Sequence, residues 1–123
     1  MTWTRRMTTY NQGEVVLIPF WYTDLERVKQ RPAAIVSANW YNRGRDDCIL
    51  VAITSTIHSP LERDEVLIVG AEVKNAGLIS DAVVRVGKIF TVEKSKIIKS
   101  LGRLTPATQQ KVLNCLQDIF FST

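Results

Sequence analysis

The chain is short of histidine, cysteine and long apolar runs, and each shortage closes off a class of function. His58 is the only histidine, so the two-histidine acid–base route to cutting RNA is excluded. Cys48 and Cys115 are the only cysteines. They lie far apart inside apolar segments, fit neither a zinc pattern nor a CxxC redox pair, and read as reduced core thiols of a cytoplasmic protein. No apolar stretch reaches the length of a membrane span, which argues against a membrane partner. Arg5-Arg6 is not followed by the apolar run of a secretory or twin-arginine leader. A glycine-rich phosphate loop, a GxSxG elbow and an HExxH pair are all missing. Asp64 ahead of Glu72-Val73-Lys74 loosely imitates the acidic metal site of restriction-like nucleases. That fold needs helices flanking a mixed sheet, for which this chain has no room, so no metal and no cofactor are expected.

What is present suits one globular domain over residues 1–123. Of its 123 residues, 46% are hydrophobic and 23% charged, enough to form a core without disulfide or metal staples. Residues 1–10 are expected to be a poorly ordered N-terminal extension, because regular patterning begins only near Gly13; Met7 is a second candidate start. The balance of 16 Lys+Arg against 12 Asp+Glu, net +4, is compatible with a polyanionic partner without demanding one.

Val- and Ile-rich runs over Glu14–Pro19, Ala33–Ser37, Cys48–Thr54, Glu65–Val69 and Ala82–Thr91 predict five strands. No helical pattern separates them, which disfavours a parallel βαβ sheet and favours a closed or half-closed antiparallel barrel. Toward the C-terminus the period changes. Lys94–Leu101 predicts a short helix capped by Gly102, and Thr105-Pro106 opens a longer one. Its apolar stripe is Val112, Leu113, Leu116, Ile119 and Phe120.

Three stretches can carry chemistry. Thr23–Pro32 is dense in charge and ends in Arg31-Pro32; the proline forces Arg31 into an extended conformation at a strand entrance, where its guanidinium can meet a phosphate. A solvated hairpin loop is the plainer reading of the same residues. Thr54-Ser55-Thr56 sets consecutive hydroxyls at a strand end, which equally suits strand termination. In Val83–Lys88, Arg85 and Lys88 interrupt an apolar strand. Strict alternation sends them to opposite faces unless Gly87 marks a bulge. An arginine inside a core strand is costly unless it is paired or lines a groove. Trp21, Tyr22 and Trp40 can stack bases or fill the barrel. Asp46-Asp47 reads as turn chemistry.

Taken in order, the opening strand GEVVLIPF, the loop ending in RPA, AITS, VVR followed by KIFT, and the terminal helix resemble the MazF/PemK family of type II toxin–antitoxin ribonucleases. The resemblance runs from Gly13 to the end. It implies a mainly β fold, an SH3-like small barrel with a C-terminal helix. It also implies a metal-independent, sequence-specific endoribonuclease that cuts single-stranded RNA and leaves 2′,3′-cyclic phosphate and 5′-hydroxyl ends. The implied partners are a second copy of the chain, forming a homodimer with RNA in a groove across both protomers, and a cognate antitoxin whose acidic tail folds over that groove.

Carried over by position, the resemblance implies catalytic roles for Arg31, Thr54 and Arg85, with RNA contacts from Glu26, Lys29, Ser55 and Lys88. One position departs. PemK-like members often carry an aspartate two residues after the second arginine, and here Gly87 stands there. Proton transfer is then left to Glu26, or to the placement of charge and hydroxyls alone, or the nuclease is weakened. A non-catalytic gyrase-binding toxin of the CcdB type and a plain RNA-binding module are the competing readings on the same barrel.

Overall fold

The Val- and Ile-rich runs all form strands, as branched side chains favour, and every strand among the described residues joins one sheet. The structure, a computed structural model, describes residues 9–21 and 28–123, with only the backbone at Trp21 and Val28. Its elements are β1 (Glu14–Trp21), β2 (Val28–Ile35), α1 (Asn39–Gly44), β3 (Asp47–Thr54), β4 (Glu65–Ile68), α2 (Ala71–Asn75), β5 (Ala82–Glu93), β6 (Lys99–Arg103) and α3 (Pro106–Phe121). A single 3₁₀ turn spans Lys94–Lys96. The described strands pair antiparallel in the order β4-β5-β3-β2-β1-β6, a curled half-barrel whose two ends, β4 and β6, are edges. Among the described residues no helix is long and apolar enough to cross a membrane.

Two expectations fail. The charged loop expected over Thr23–Pro32 is shorter, because residues 28–32 already pair with β1, from Trp21↔Val28 to Leu17↔Pro32. The helix expected over Lys94–Leu101 is replaced by the 3₁₀ turn and β6, which pairs with β1 through Val15↔Gly102 and Val16↔Ser100. Gly102 is therefore a strand residue and caps no helix. Its missing side chain serves a close approach instead: a Cβ there would stand 2.4 Å from the Asn75 carbonyl oxygen and 2.8 Å from Gly77 N. Gly77, at φ +73°, makes the turn that brings α2 against β6.

The sheet has apolar side chains on both faces. One face carries Val15, Ala34, Val51, Ile53, Val66, Ile68, Val84 and Val86, covered by Leu104 ahead of α3 and by Val112 from α3 itself. The other gathers Val16, Ile18, Ala33, Ile35, Cys48 and Leu50 under Tyr10 and Ile97. Tyr10, within the segment expected to contribute little, is thus buried, while residues 1–8 lie outside the described structure.

Thr105 caps α3 as expected, its hydroxyl accepting the Thr108 N–H at 3.2 Å, with Pro106 in the first turn. The apolar stripe is covered only in its first half: Val112 is buried, but Ile119 and Phe120 are exposed. Glu72 ties α2 to the start of α3. Its carboxylate accepts the Thr105 hydroxyl at 2.6 Å and the Thr108 hydroxyl, and these bonds hold its carboxyl below the usual range.

Gly102→Ala places a methyl against backbone that has nowhere to move. The expected loss is about 1–3 kcal/mol of stability, read as a lower urea midpoint at unchanged slope.

Candidate functional site

Where β2 meets β3, pairing begins only at Ala33↔Ala52. The residue before it, Pro32, has no N–H to offer a ladder, so the two strands part toward Arg31 and Thr54. Continuing the register by two residues sets Arg31 opposite Thr54. Because directly opposed residues share a face, and residues two apart do also, Arg31, Ala33, Ala52 and Thr54 all project from the same side. Arg85 joins them as the partner of Ala52. By strand spacing, the Cα atoms of Arg31 and Arg85 stand about 12 Å apart, within reach of two convergent guanidinium groups.

Lys88 arrives on this face by a different route. Val51 pairs with Ile89 but Ala52 pairs with Arg85, so Val86, Gly87 and Lys88 bulge from β5 without partners on β3. The insertion reverses parity along β5. Beyond it, Phe90 opposes Leu50, on the face of Ala52 and Arg85, and alternation from Phe90 puts Lys88 there as well. The bulge anticipated at Gly87 is present, and it gathers the two basic residues on one face.

The remaining candidates divide. Lys29 is an exposed β2 residue two before Arg31 and on its face, opposite Phe20. Ser55 is exposed one residue past β3, and Thr54 is half-buried, its hydroxyl accepting the Thr56 N–H at 3.1 Å. Glu26, Tyr22 and the Trp21 side chain lie outside the described residues. Trp40 is not brought to this site. It sits on α1, at the opposite end of β2 and β3, exposed and edge-on to Tyr41. His58 is exposed in the β3–β4 connection. Glu72, half of the imitation metal motif, is engaged at the start of α3.

One functional neighbour escaped the sequence reading. Glu65 is the cross-strand partner of Arg85 on β4, and its side chain is only 4% exposed against 47% for Arg85. Its Oε2 lies 3.8 Å from Arg85 Nε, and its Oε1 accepts the Glu62 N–H at 2.8 Å. The arginine in the apolar strand is therefore both paired and directed outward. In sequence Glu65 only opens a Val- and Ile-rich run, and the β4–β5 register alone exposes the pairing.

Both cysteines are free thiols; Cys48 is fully buried and Cys115 half-buried. Burial pushes the Cys115 thiol up, and the Asp64 and Asp118 carboxylates add to the rise, so it stays protonated at neutral pH. Beside it a cleft of about 370 Å³ lies between α3 and residues Glu62, Arg63 and Asp64, where Arg63 grips Asp118 through two hydrogen bonds of 2.8 and 2.9 Å.

Residues 11–120 match the family described as PemK-like, MazF-like toxin of type II toxin–antitoxin system. No curated protein sequence matches the chain. Among solved structures, it is similar to an endoribonuclease from a mycobacterial species in complex with its cognate antitoxin, at 26% identity, TM-score 0.72, with 88% of this chain and 91% of that one covered. A second mycobacterial endoribonuclease superposes at 26% identity and TM-score 0.71, covering 92% of each chain. A MazE–MazF structure from Deinococcus radiodurans shares the fold at 18% identity and TM-score 0.76, over 95% of this chain and 100% of that one.

Glu65→Ala removes the acceptor of the Glu62 N–H and the partner of Arg85, with an expected loss of about 1–3 kcal/mol in urea unfolding. Lys88→Ala, in the exposed bulge, is expected to stay within about 0.5 kcal/mol of the parent.

Proposed function

The chain belongs to the PemK-like, MazF-like toxins of type II toxin–antitoxin systems, and we propose that it acts as a metal-independent endoribonuclease on single-stranded RNA. The observation that carries this reading is the single face shared by Arg31, Thr54 and Arg85, with Lys29 and Lys88 beside them. RNA brings its own nucleophile, the 2′-hydroxyl, so the protein has to align it, accept its proton and neutralise charge. Arg31 and Arg85 bind the scissile phosphate from two strands and stabilise the charge that builds on its non-bridging oxygens. Glu65 limits the directions Arg85 can take, so less freedom is lost when the phosphate binds. The Thr54 hydroxyl, already fixed by the Thr56 N–H, donates its own hydrogen to the phosphate or the 2′-oxygen. Attack of the 2′-oxygen leaves a 2′,3′-cyclic phosphate and a 5′-hydroxyl.

Lys29, Ser55 and Lys88 hold the flanking backbone, with Glu26 as a further RNA contact. Base-paired RNA hides its base edges in a deep, narrow groove, so the substrate is a short single-stranded motif. A cognate antitoxin neutralises the enzyme, a second copy of the chain completes the RNA groove, and the cytoplasm is the place of action. The mycobacterial relatives at 26% identity support both the activity and the antitoxin.

Long single-stranded RNA in EDTA is expected to be cut at one repeated short motif, leaving cyclic phosphate ends. Arg31→Ala and Arg85→Ala are each expected to lower the rate by about 10²–10³-fold, as loss of a charge-stabilising donor does. Intact RNA from folded, antitoxin-free protein would refute the reading and favour a gyrase-binding or RNA-binding role. Cutting abolished by EDTA would favour a metal-dependent nuclease.

A further inference from the structure

Trp40 takes no part in the site, yet it stands 71% exposed at the far end of β2 and β3. A lone exposed indole is ordinary on a protein surface, but its surroundings here are not. The only buried residue of α1 is Asn42, and polar bonds rather than apolar packing hold the helix. Asn42 Nδ2 donates to the Ser37 carbonyl at 3.0 Å, and its Oδ1 accepts the Ser37 hydroxyl. That hydroxyl in turn accepts the Ile49 N–H at 3.0 Å, and Asn39 Oδ1 accepts the Gln12 N–H at 2.8 Å. The helix is fixed while its outer side stays open. Tyr41 meets Trp40 edge-on with ring centroids 6.0 Å apart, and the Arg45 guanidinium lies over the Tyr41 ring at 4.6 Å. Arg43, three residues after Trp40, shares its side of the helix. At Gly44, four residues after Trp40, a Cβ would meet nothing within 4 Å, so space beside the indole is open.

The Lys94 N–H donates to the Asp46 carbonyl at 2.7 Å, which brings the turn carrying Lys94 and Lys96 beside the exit of α1. In these two segments Arg43, Arg45, Lys94 and Lys96 stand against Asp46, Asp47 and Glu93. Among the described residues, neither Arg43 nor Arg45 enters an ion pair. Trp40 is the only exposed large apolar residue of α1 and of the 94–96 turn, so the surface lacks the apolar core of a protein interface. An open aromatic face beside guanidinium groups suits single-stranded nucleic acid instead, whose bases stack and whose phosphates pair. By strand spacing the two ends of β3, Asp47 and Thr54, lie about 23 Å apart. At about 3.4 Å per stacked nucleotide, RNA cut beside Thr54 reaches Trp40 only with its flank.

We propose, resting on the ribonuclease reading, that the α1 end of the half-barrel is a second RNA-binding surface, separate from the cutting site. A base outside the cut motif stacks on Trp40, and Arg43 and Arg45 take the phosphates on either side of it. The surface reads no sequence, because every base offers a face to stack. It favours long single strands over short ones that carry the same motif.

The test compares two RNAs, one limited to the cut motif and one with flanks of about ten nucleotides, longer than that reach. Each is used unmodified for cleavage and 2′-deoxy at the cut site for binding, with the full chain free of antitoxin. Trp40→Ala is expected to lower affinity for the long RNA about 5- to 100-fold, the worth of one stacked base. Trp40→Phe keeps a ring and should restore most of it. Cutting and binding of the short RNA should stay within about twofold of the parent in both variants, because the cutting site is distant and untouched. Arg43→Gln with Arg45→Gln should flatten the salt dependence of long-RNA binding by about 1.4 in log–log slope, as two lost phosphate contacts do. Parental affinity of Trp40→Ala for the long RNA, alongside parental cutting, would overturn the inference and leave the ribonuclease reading standing. Equal losses on short and long RNA would overturn it too, since they report a damaged fold. Unchanged RNA affinity with an altered oligomeric state would overturn it in favour of a surface for a second copy. A parent that leaves both RNAs intact would remove both readings.

Discussion

Between Val51 and Ala52 the neighbouring strand β5 advances by three extra residues, and the candidate site depends on that slip. Because side chains alternate along a strand, an odd insertion exchanges the faces of everything beyond it. On one side of the bulge, Val84 and Val86 pack under α3 while Arg85 turns to the open face. On the other, Phe90 and Val92 pack against the second core and Lys88 follows their parity. Without the insertion, one basic residue would be driven toward the apolar packing beneath α3, at the cost of burying a charge. The bulge lets one strand serve two cores and still deliver both cations to one surface.

The parting of β2 from β3 completes that surface. Pro32 stands at the last step before the ladder opens, and Arg31 and Thr54 occupy the two sides of the gap. The start of β4 then closes on the bulge through the Val86 N–H, bringing Glu65 against Arg85 and Asp64 over Gly87. The Glu65–Arg85 contact is therefore set by strand register, and rigid strands fix such positions more closely than loops do. On the opposite face, α3 and the Gly77–Gly102 approach hold the sheet in its curl without entering the site.

Much of this was legible in the residues. Val- and Ile-rich runs located β1, β3, β4 and β5, Thr105-Pro106 marked the start of α3, and the family motifs named Arg31, Thr54 and Arg85. The parts that escaped share one cause, dependence on partners distant in sequence. Ile97, Ile98 and Leu101 are spaced as i, i+1, i+4, which suits a helix as well as a strand. Only β1, some eighty residues away, decides for β6. Gly102 likewise looks like a helix cap until Asn75 and Gly77 are seen against it. Asp64 reads as half of a loose metal-site imitation and Glu65 as the first residue of a strand, and their proximity to Gly87 and Arg85 exists only after β4 pairs with β5. Trp40 lies away from the site for the same reason, since composition does not tell which end of a strand an aromatic will occupy.

The most direct measurement is a crystal structure of the chain with an RNA oligonucleotide carrying a 2′-deoxy nucleotide at the cut site. The account places the scissile phosphate between the Arg31 and Arg85 guanidinium groups, within hydrogen-bond distance of both, with the Thr54 hydroxyl beside it. A phosphate held by only one of these arginines, or RNA lying across α3 on the opposite face, would contradict it.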